Sequence, residues 1–397
     1  MVVGLLVVTV VAWWAEHEGG TAPGEWYPGA LVLLAVVVTA VRPGDVRSLP
    51  PPARRALALF AAFTAWSFFS IAWADARGDA WDSANRALLY LTVFVLFAAL
   101  RWKRAEAAIF LAGFALATAA AGAWEVIQAI AGSDPEAFAG GRLAGPIGYE
   151  NATASLFLAA FWPAVLLASR RSTPRWVRGV LLAAAGALVD FCILAQSRGS
   201  LIAGSVSFAL AVALMPERRR LLLALAAVGV MTLASLPALL AVFDSPSPDG
   251  LDGAAIAIAA SALALFAIGA GSSRIDQWSP RAQWRAGPSP WWVAALAAVT
   301  LAAAGLAVAL AGADAVPGQG GGPAAGSRFT AGVESGRYDL WRVAARQIGR
   351  HPLQGAGAGN FAHDYARERH RHEEPLYPHS IVLGTFGQTG LVGGLLL

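Results

Sequence analysis

The chain has 397 residues, of which 57% are hydrophobic and only 14% charged, and its mean hydropathy is +0.56. Soluble domains carry about 25% charged residues, so this composition excludes an ordinary globular enzyme and predicts an all-α polytopic membrane protein. The formal net charge of +4 says less than the placement of its charges, and the single cysteine, Cys192, excludes an intramolecular disulfide.

Apolar runs long enough, or nearly so, to cross a bilayer lie at roughly 1–14, 26–41, 55–74, 86–100, 105–131, 151–168, 177–195, 199–215, 220–243, 253–271, 290–312 and 380–397. They predict about twelve transmembrane helices. The first run has no basic leading segment and no small-residue cleavage site, so it reads as a spanning segment and not as a removable signal. The connecting loops alternate in charge. Basic residues collect in every second loop: Arg42, Arg47, Arg54 and Arg55; Arg101, Lys103 and Arg104; Arg170, Arg171, Arg175 and Arg178; Arg218, Arg219 and Arg220; Arg274, Arg281 and Arg285. The other short loops hold only Arg77, Arg86, Arg142 and Arg198 and are rich in acids such as Glu16, Glu18, Glu25, Asp75, Asp79, Asp82, Asp244, Asp249 and Asp252. The positive-inside rule then puts the N-terminus in the cytoplasm. A transmembrane domain over 1–312, with about eleven helices, is followed by a large extracytoplasmic loop over 313–379 and a final transmembrane helix over 380–397.

That sidedness sorts the chemistry-bearing residues. Arg142, Arg198, Arg337 and His379 all fall on the outer side and are expected to converge at headgroup level. Arg142 lies in the Gly/Pro-bent loop Gly141–Asn151, where an arginine, Asn151 and the free amides of a helix start could receive an anion. Arg198 lies in the turn Gln196–Ser200, too short to leave the interface. Glu125 and Asp190, in the outer halves of their helices, are functional suspects as intramembrane acids, with counter-ions to Arg142 or Arg198 as the plainer reading.

The insert is the longest polar stretch, and such loops commonly carry function. Ser335–Gly349 reads as an amphipathic helix with short helical company: Arg342, Arg346 and Arg350 share one face, expected to be solvated or to face headgroups, and Trp341, Ala344 and Ile348 share the other. Arg337 falls on the apolar side, where a guanidinium needs a carboxylate or a ligand phosphate. The glycine-rich run Pro352–Phe361 follows a helix and not a strand, so it predicts a tight backbone bend and no nucleotide loop. Arg367–Glu374, with His370 and His372, reads as a solvated helix end, since no third metal ligand accompanies the histidines. His379, beside Pro378 at the mouth of the last apolar run, is either a general base or a residue capping that helix.

The blocks GRLAGPIGYENATA, AQSRGSLIA, SGRYDLWRVAARQIGRHPLQGAGAGNF and PHSIVLGTFGQTGLVG, in that order, resemble the O-antigen ligase and polymerase-like family of bacterial membrane proteins from about Arg142 onward. The resemblance implies a GT-C-like helical glycosyltransferase in the bacterial cytoplasmic (inner) membrane. Its donor would be a glycan on undecaprenyl pyrophosphate, and its acceptor a glycan or glycolipid on the outer face of that membrane. No cofactor, metal or nucleic acid is implied. Arg142 and Arg337 correspond to the arginines that hold the lipid pyrophosphate, Arg198 to the SRG turn, and His379 to the base that activates the acceptor hydroxyl. The chain departs from the family in having Ser380 where Asn usually follows the histidine. It also ends at Leu397 within an apolar run where relatives continue, so the resemblance implies a fragment.

The residues themselves suit this chemistry. Displacing a sugar from a pyrophosphate loads negative charge onto the leaving group, which paired guanidiniums stabilise. His379 would take the acceptor proton, and direct attack would invert the anomeric centre. A polymerase extending carrier-linked repeats is the alternative within the family. A transporter or anion-binding membrane protein is the rival outside it, disfavoured because the ionisable residues gather at one face without an internal repeat.

Overall fold

The computed structural model describes residues 2–17, 19–20, 22–100, 102–132, 137–138, 141–214, 218–244, 248–271, 337–369 and 375–397. Every regular element among them is helical, and they group into two compact units: Met1–Thr21 with Lys103–Thr330, and Ala22–Trp102 with Ala331–Leu397.

The first unit contains α1 (Val2–Glu16), α6 (Arg104–Ala131), α7 (Glu150–Ser169), α8 (Arg175–Ala195), α9 (Arg198–Leu214), α10 (Arg218–Asp244) and α11 (Pro248–Gly271). Helix α8 is its hub and packs on α6, α7, α10 and α11. In a bilayer the lipid is as apolar as the helix faces, so close backbone approach has to hold helices together. The contact of α8 with α11 has that form: a Cβ at Gly269 would come within 2.6 Å of Gly179 Cα. Along α8 the same core buries Leu181, Leu188 and Leu194, and toward its C-terminal end the Phe157–Phe191 pair at 5.4 Å between ring centroids.

The second unit contains α2 (Pro23–Ala40), α3 (Pro43–Arg47), α4 (Pro51–Phe69) with a 3₁₀ turn at Ser70–Ala72, α5 (Arg77–Ala99), α12 (Arg337–Arg350), α13 (Phe361–Glu368) and α14 (Ile381–Leu396). Helices α2, α4 and α5 pack together, while α12 and α13 bury Leu340, Val343, Ala344, Phe361 and Tyr365 with Leu383 of α14 against them. Helix α14 is broken at Gly390, whose φ of 67° and ψ of −170° leave the helical region. The freed backbone groups do not go unpaired. Leu391 and Val392 donate to Pro352 O and Leu353 O at 2.9 and 3.2 Å, and Gly387 O and Gln388 O accept from Ala356 and Gly357 at 3.0 and 2.9 Å. The Trp66 indole donates to Thr389 O at 2.9 Å. An irregular stretch in an apolar helix is tolerated when protein groups replace its lost bonds in this way.

Eight helices among the described residues are long and apolar enough to cross a membrane, which marks a multi-pass membrane protein. About twelve were expected. The difference arises because α1, α9 and α14, with 15, 17 and 16 residues, are short. The run expected at 290–312 lies outside the described residues, as do the loop with Arg274, Arg281 and Arg285, the part of the insert with Arg328, and His370, Arg371 and His372.

Candidate functional site

In the first unit the loop between α6 and α7 is stitched to the end of α8. Leu143 donates to Leu194 O at 3.0 Å, and Ala144 to Ala137 O at 2.9 Å. The Thr153 hydroxyl of α7 donates back to Ala144 O at 2.5 Å. Gly145 sits directly over the buried carboxyl of Glu125, which a Cβ at that position would strike.

Arg142 completes the stitching. Its Nη2 donates to Ala195 O at 2.9 Å and to Gln196 O at 3.2 Å, and Nη1 lies 3.3 Å from Glu150 Oε1. The carbonyls at the C-terminal end of α8 form its negative pole, so the guanidinium is held there by the helix dipole as well as by hydrogen bonds. Gln196 closes α8 in the left-handed conformation, φ 49°, and Arg198 opens α9 just beyond it. The structure thus brings the Arg142 loop onto the turn that begins at Gln196.

The supporting residues separate. Asn151 donates to the Tyr149 hydroxyl at 2.8 Å. Asp190 is fully buried deep in α8 and accepts from the Ser235 hydroxyl of α10 at 3.2 Å. A carboxylate that lies at Arg142 is Glu150, a residue that sequence reasoning passed over. Its signal was present: an acid in the first turn of a helix directly after an arginine loop, at the pole that favours anions.

In the second unit Arg337 opens α12. His379 is exposed and takes the left-handed conformation, φ 51°, directly before α14. A non-glycine residue there is uncommon and costs about 1–3 kcal/mol, so packing around it must impose the conformation. Pro378 before it is buried, and Ser380 after it caps α14 by accepting from the Leu383 amide at 3.3 Å. The capping role considered for His379 therefore belongs to Ser380.

The arginine stripe of α12 is exposed at Arg346 and Arg350, as expected of a solvated face, and its guanidiniums are also paired. Arg342 donates to Asp339 Oδ1 at 2.6 Å and to Glu368 O at 2.9 Å, Arg346 to Glu368 Oε2 at 3.1 Å, and Arg350 to Glu368 Oε1. These guanidiniums tie α12 to the end of α13. Partial burial raises the Glu368 pKa, but the hydrogen bonds and charges of Arg346 and Arg350 outweigh it and hold the carboxyl below its ordinary value.

The glycine run is a backbone bend, and it docks on the turn between α4 and α5. Asn360, unremarked in the sequence, is buried and forms a two-way bridge to Ala76, accepting from its amide at 2.8 Å and donating to its carbonyl at 3.2 Å. Ala358 donates to the Ser70 hydroxyl at 3.0 Å, and the Trp73 indole donates to Gly355 O at 3.2 Å. Gly359, with φ 73°, lies against Ser83 and the Asp79 carbonyl, where a side chain would clash.

One arrangement recurs. Arg198 opens α9, Arg337 opens α12 and His379 stands just before α14, whereas Arg142 lies eight residues before α7 and its guanidinium meets the C-terminal carbonyls of α8. The first three stand at helix N-termini, where free amides and the dipole favour anions.

A helical membrane protein with basic residues at helix starts is the class so defined. Residues 250–397 match the family described as O-antigen ligase, which supports the O-antigen ligase-like family that the sequence blocks suggested. The matched region includes Arg337 and His379. No curated protein and no solved structure matches the chain.

Proposed function

We propose that the protein is a membrane glycosyltransferase of the O-antigen ligase kind. It moves a preassembled glycan from undecaprenyl pyrophosphate to an acceptor glycan or glycolipid on the outer face of the bacterial cytoplasmic membrane. The family match over 250–397 supports the transferase reading. The observation that supports the site is the position of Arg198, Arg337 and His379 at the N-terminal ends of separate helices, with Arg142 docked on the turn that leads to Arg198.

In this reading Arg142, Arg198 and Arg337 bind the diphosphate, whose charge grows as the sugar leaves. The His379 imidazole accepts the proton of the acceptor hydroxyl while that oxygen attacks the anomeric carbon. The bond from that carbon to the pyrophosphate oxygen breaks with its electron pair going to oxygen, so the centre inverts and the carrier keeps its pyrophosphate. Asn151 and Glu125 support the Arg142 loop, and Asp190 supports α8 from within. The step requires no metal and no cofactor, because guanidiniums supply the positive charge.

His379→Ala abolishes transfer and leaves carrier-lipid binding intact; Arg337→Ala loses both. Labelled carrier-linked donor, supplied with acceptor to the purified protein in lipid, measures each. Full transfer by either variant overturns that residue's role. Chain growth from the labelled donor with acceptor omitted would identify a polymerase in place of a ligase.

A further inference from the structure

We propose that a polar pocket of the second unit, between the turn that follows α4 and the segment that joins α12 to α13, holds one sugar ring of a glycan. The ligand class rests on the reading of the protein as a glycan transferase. The pocket itself is built from residues other than Arg337 and His379. Its volume is about 100 Å³. Trp73 and Asp75 line it from the turn, His351 and Gln354 from the segment after α12, and Asp364 from the first turn of α13. All five belong to one compact unit. Asn360 lines it as well, but its amide is engaged by Ala76 and Ala358, so it builds the pocket and leaves the other side chains to a ligand.

The groups that folding leaves unengaged define the ligand. The Trp73 indole N–H donates to Gly355 O at 3.2 Å, and the Trp66 ring stands 5.3 Å away between centroids. The Trp73 ring is thus a fixed wall with no donor left over. Asp364 accepts the Gln347 amide on Oδ2 at 2.6 Å. Asp75 accepts Arg367 on Oδ2 at 3.0 Å, and His363 Nε2 lies 3.9 Å from the same oxygen. Each carboxylate keeps its Oδ1 without a hydrogen bond among the described residues. The side chains of His351 and Gln354, both exposed, make none among them either.

Open acceptors beside open donors on an aromatic wall suit a sugar. Carboxylate oxygens take hydroxyl protons in short, strong hydrogen bonds. The Gln354 amide and the His351 imidazole can donate, and the C–H face of a pyranose covers an indole as apolar surface. Ligand pockets commonly combine aromatic lining with a few convergent polar groups of this kind. Two acids beside one arginine, itself paired to Asp75, disfavour a phosphate or carboxylate ligand. No three His, Cys, Asp or Glu side chains among the described residues converge as ligands of a metal ion, so the carboxylates are not arranged for a cation. The volume admits an edge of one ring and excludes an oligosaccharide, so the pocket reads a single unit of a longer chain. The loop charges assign the Asp75 turn to the outer side, where the proposed transfer takes place.

The test is saturation-transfer NMR of the full chain in neutral detergent. The probes are the methyl glycosides of glucose, galactose, mannose, rhamnose and N-acetylglucosamine, with open-chain glucitol as control. At least one glycoside should receive saturation at its ring protons, and glucitol should not. His351→Ala with Gln354→Ala should lose the signal. Gln354→Trp, which fills the pocket from an exposed position, should lose it too and carries the test if the double variant fails to fold. Leu353→Gln, exposed and outside the pocket, should retain it. Silence from all five glycosides, equal transfer to glucitol, retention by Gln354→Trp or loss in Leu353→Gln would overturn the site. In the transfer assay the His351/Gln354 double variant should raise KM for one substrate by about tenfold, the scale of two lost hydrogen bonds, with kcat nearly unchanged. A rise for the acceptor alone assigns the ring to the acceptor glycan, and a rise for the donor alone assigns it to the carrier-linked one; a rise for neither overturns the pocket's part in transfer. A parent protein that binds a glycoside but transfers nothing keeps the sugar site and loses the transferase reading; one that transfers but binds no glycoside does the reverse.

Discussion

Two sets of arginines in this molecule meet opposite fates. The Arg142 side chain, 15% exposed, is gripped by two main-chain carbonyls at the end of α8 and lies beside Glu150. Arg346 and Arg350 on α12, 52% and 58% exposed, both end on the carboxylate of Glu368. All three meet a carboxylate, but Arg142 is also oriented by the carbonyl dipoles at the end of α8, within the fold, whereas Arg346 and Arg350 share one carboxylate from exposed positions. Arg142 clamps a loop onto a helix end; the α12 stripe ties two short helices together. The same residue type thus does different work in the two places, and burial separates them.

The largest expected effect breaks this contrast directly. Arg142→Ala should lower transfer from the carrier-linked donor by about 10²–10³-fold, the scale for removing one donor to developing negative charge. Arg346→Ala should change transfer by less than about twofold, because its partner is an exposed-side ion pair. Arg142→Lys restores a charge but not the fork that meets the Ala195 and Gln196 carbonyls through Nη2 and Glu150 through Nη1, so it should recover only part of the loss. Equal effects at Arg142 and Arg346 in a donor-binding assay would erase the distinction.

Next in size is Gly145→Ala. The added methyl runs into the Glu125 carboxyl beneath it. Overpacking of this kind costs about 1–3 kcal/mol, which should appear as a lower melting temperature and as weaker donor binding, since the same loop carries Arg142. The cost should fall when Glu125→Ala is combined with it. If the combination is no better than Gly145→Ala alone, the clash is not the cause.

Much of the fold was legible because the length and apolarity of a segment are one-dimensional properties. The runs at 151–168 and 177–195 became α7 and α8 with ends displaced by only a few residues. The break in α14 was not legible. Gly390 sits in a stretch that reads as uninterrupted apolar helix, and it opens only because Pro352–Gly357 supplies replacement hydrogen bonds from a remote part of the chain. Glycine content suggested a bend at 352–361 but could not name Asn360 and Ala76 as the contact that fixes it. In the candidate site the loop that carries Arg142 and the turn that carries Arg198 were readable as breaks between apolar runs. The partner of Arg142 left only a local signal, an acid in the first turn of α7, because the contact itself forms only once the loop folds back over the start of that helix. The stripe on α12 is periodic and exposed as read, but nothing in its spacing could show that α13 brings Glu368 across it.

Glu368→Gln sharpens the contrast at smaller scale. The folded carboxyl is held below its ordinary value, so it contributes stability that is present above the unfolded pKa and is lost as pH falls through the folded one. Near neutral pH the variant should melt lower than the parent, by a loss on the order of 1 kcal/mol for partly exposed pairs. Under acid the two curves should meet. A gap that stays constant down through the folded pKa would mean that Glu368 acts by shape and not by charge. Transfer should be unaffected at neutral pH while the protein remains folded.

The smallest effect belongs to Arg367 and Asp75, an ion pair at 3.0 Å whose side chains are 61% and 60% exposed. It resembles the Glu368 pairs in distance and differs in burial. Water screens it, and holding two mobile side chains together consumes most of the Coulomb gain, so a double-mutant cycle on melting should give a coupling below about 0.5 kcal/mol. Glu368, at 14% exposed, should give the larger coupling to Arg346 and should lose less of it in salt. Reversal of that order would mean that burial, which separates Arg142 from the stripe and the stripe from this pair, is the wrong variable for ranking the arginines.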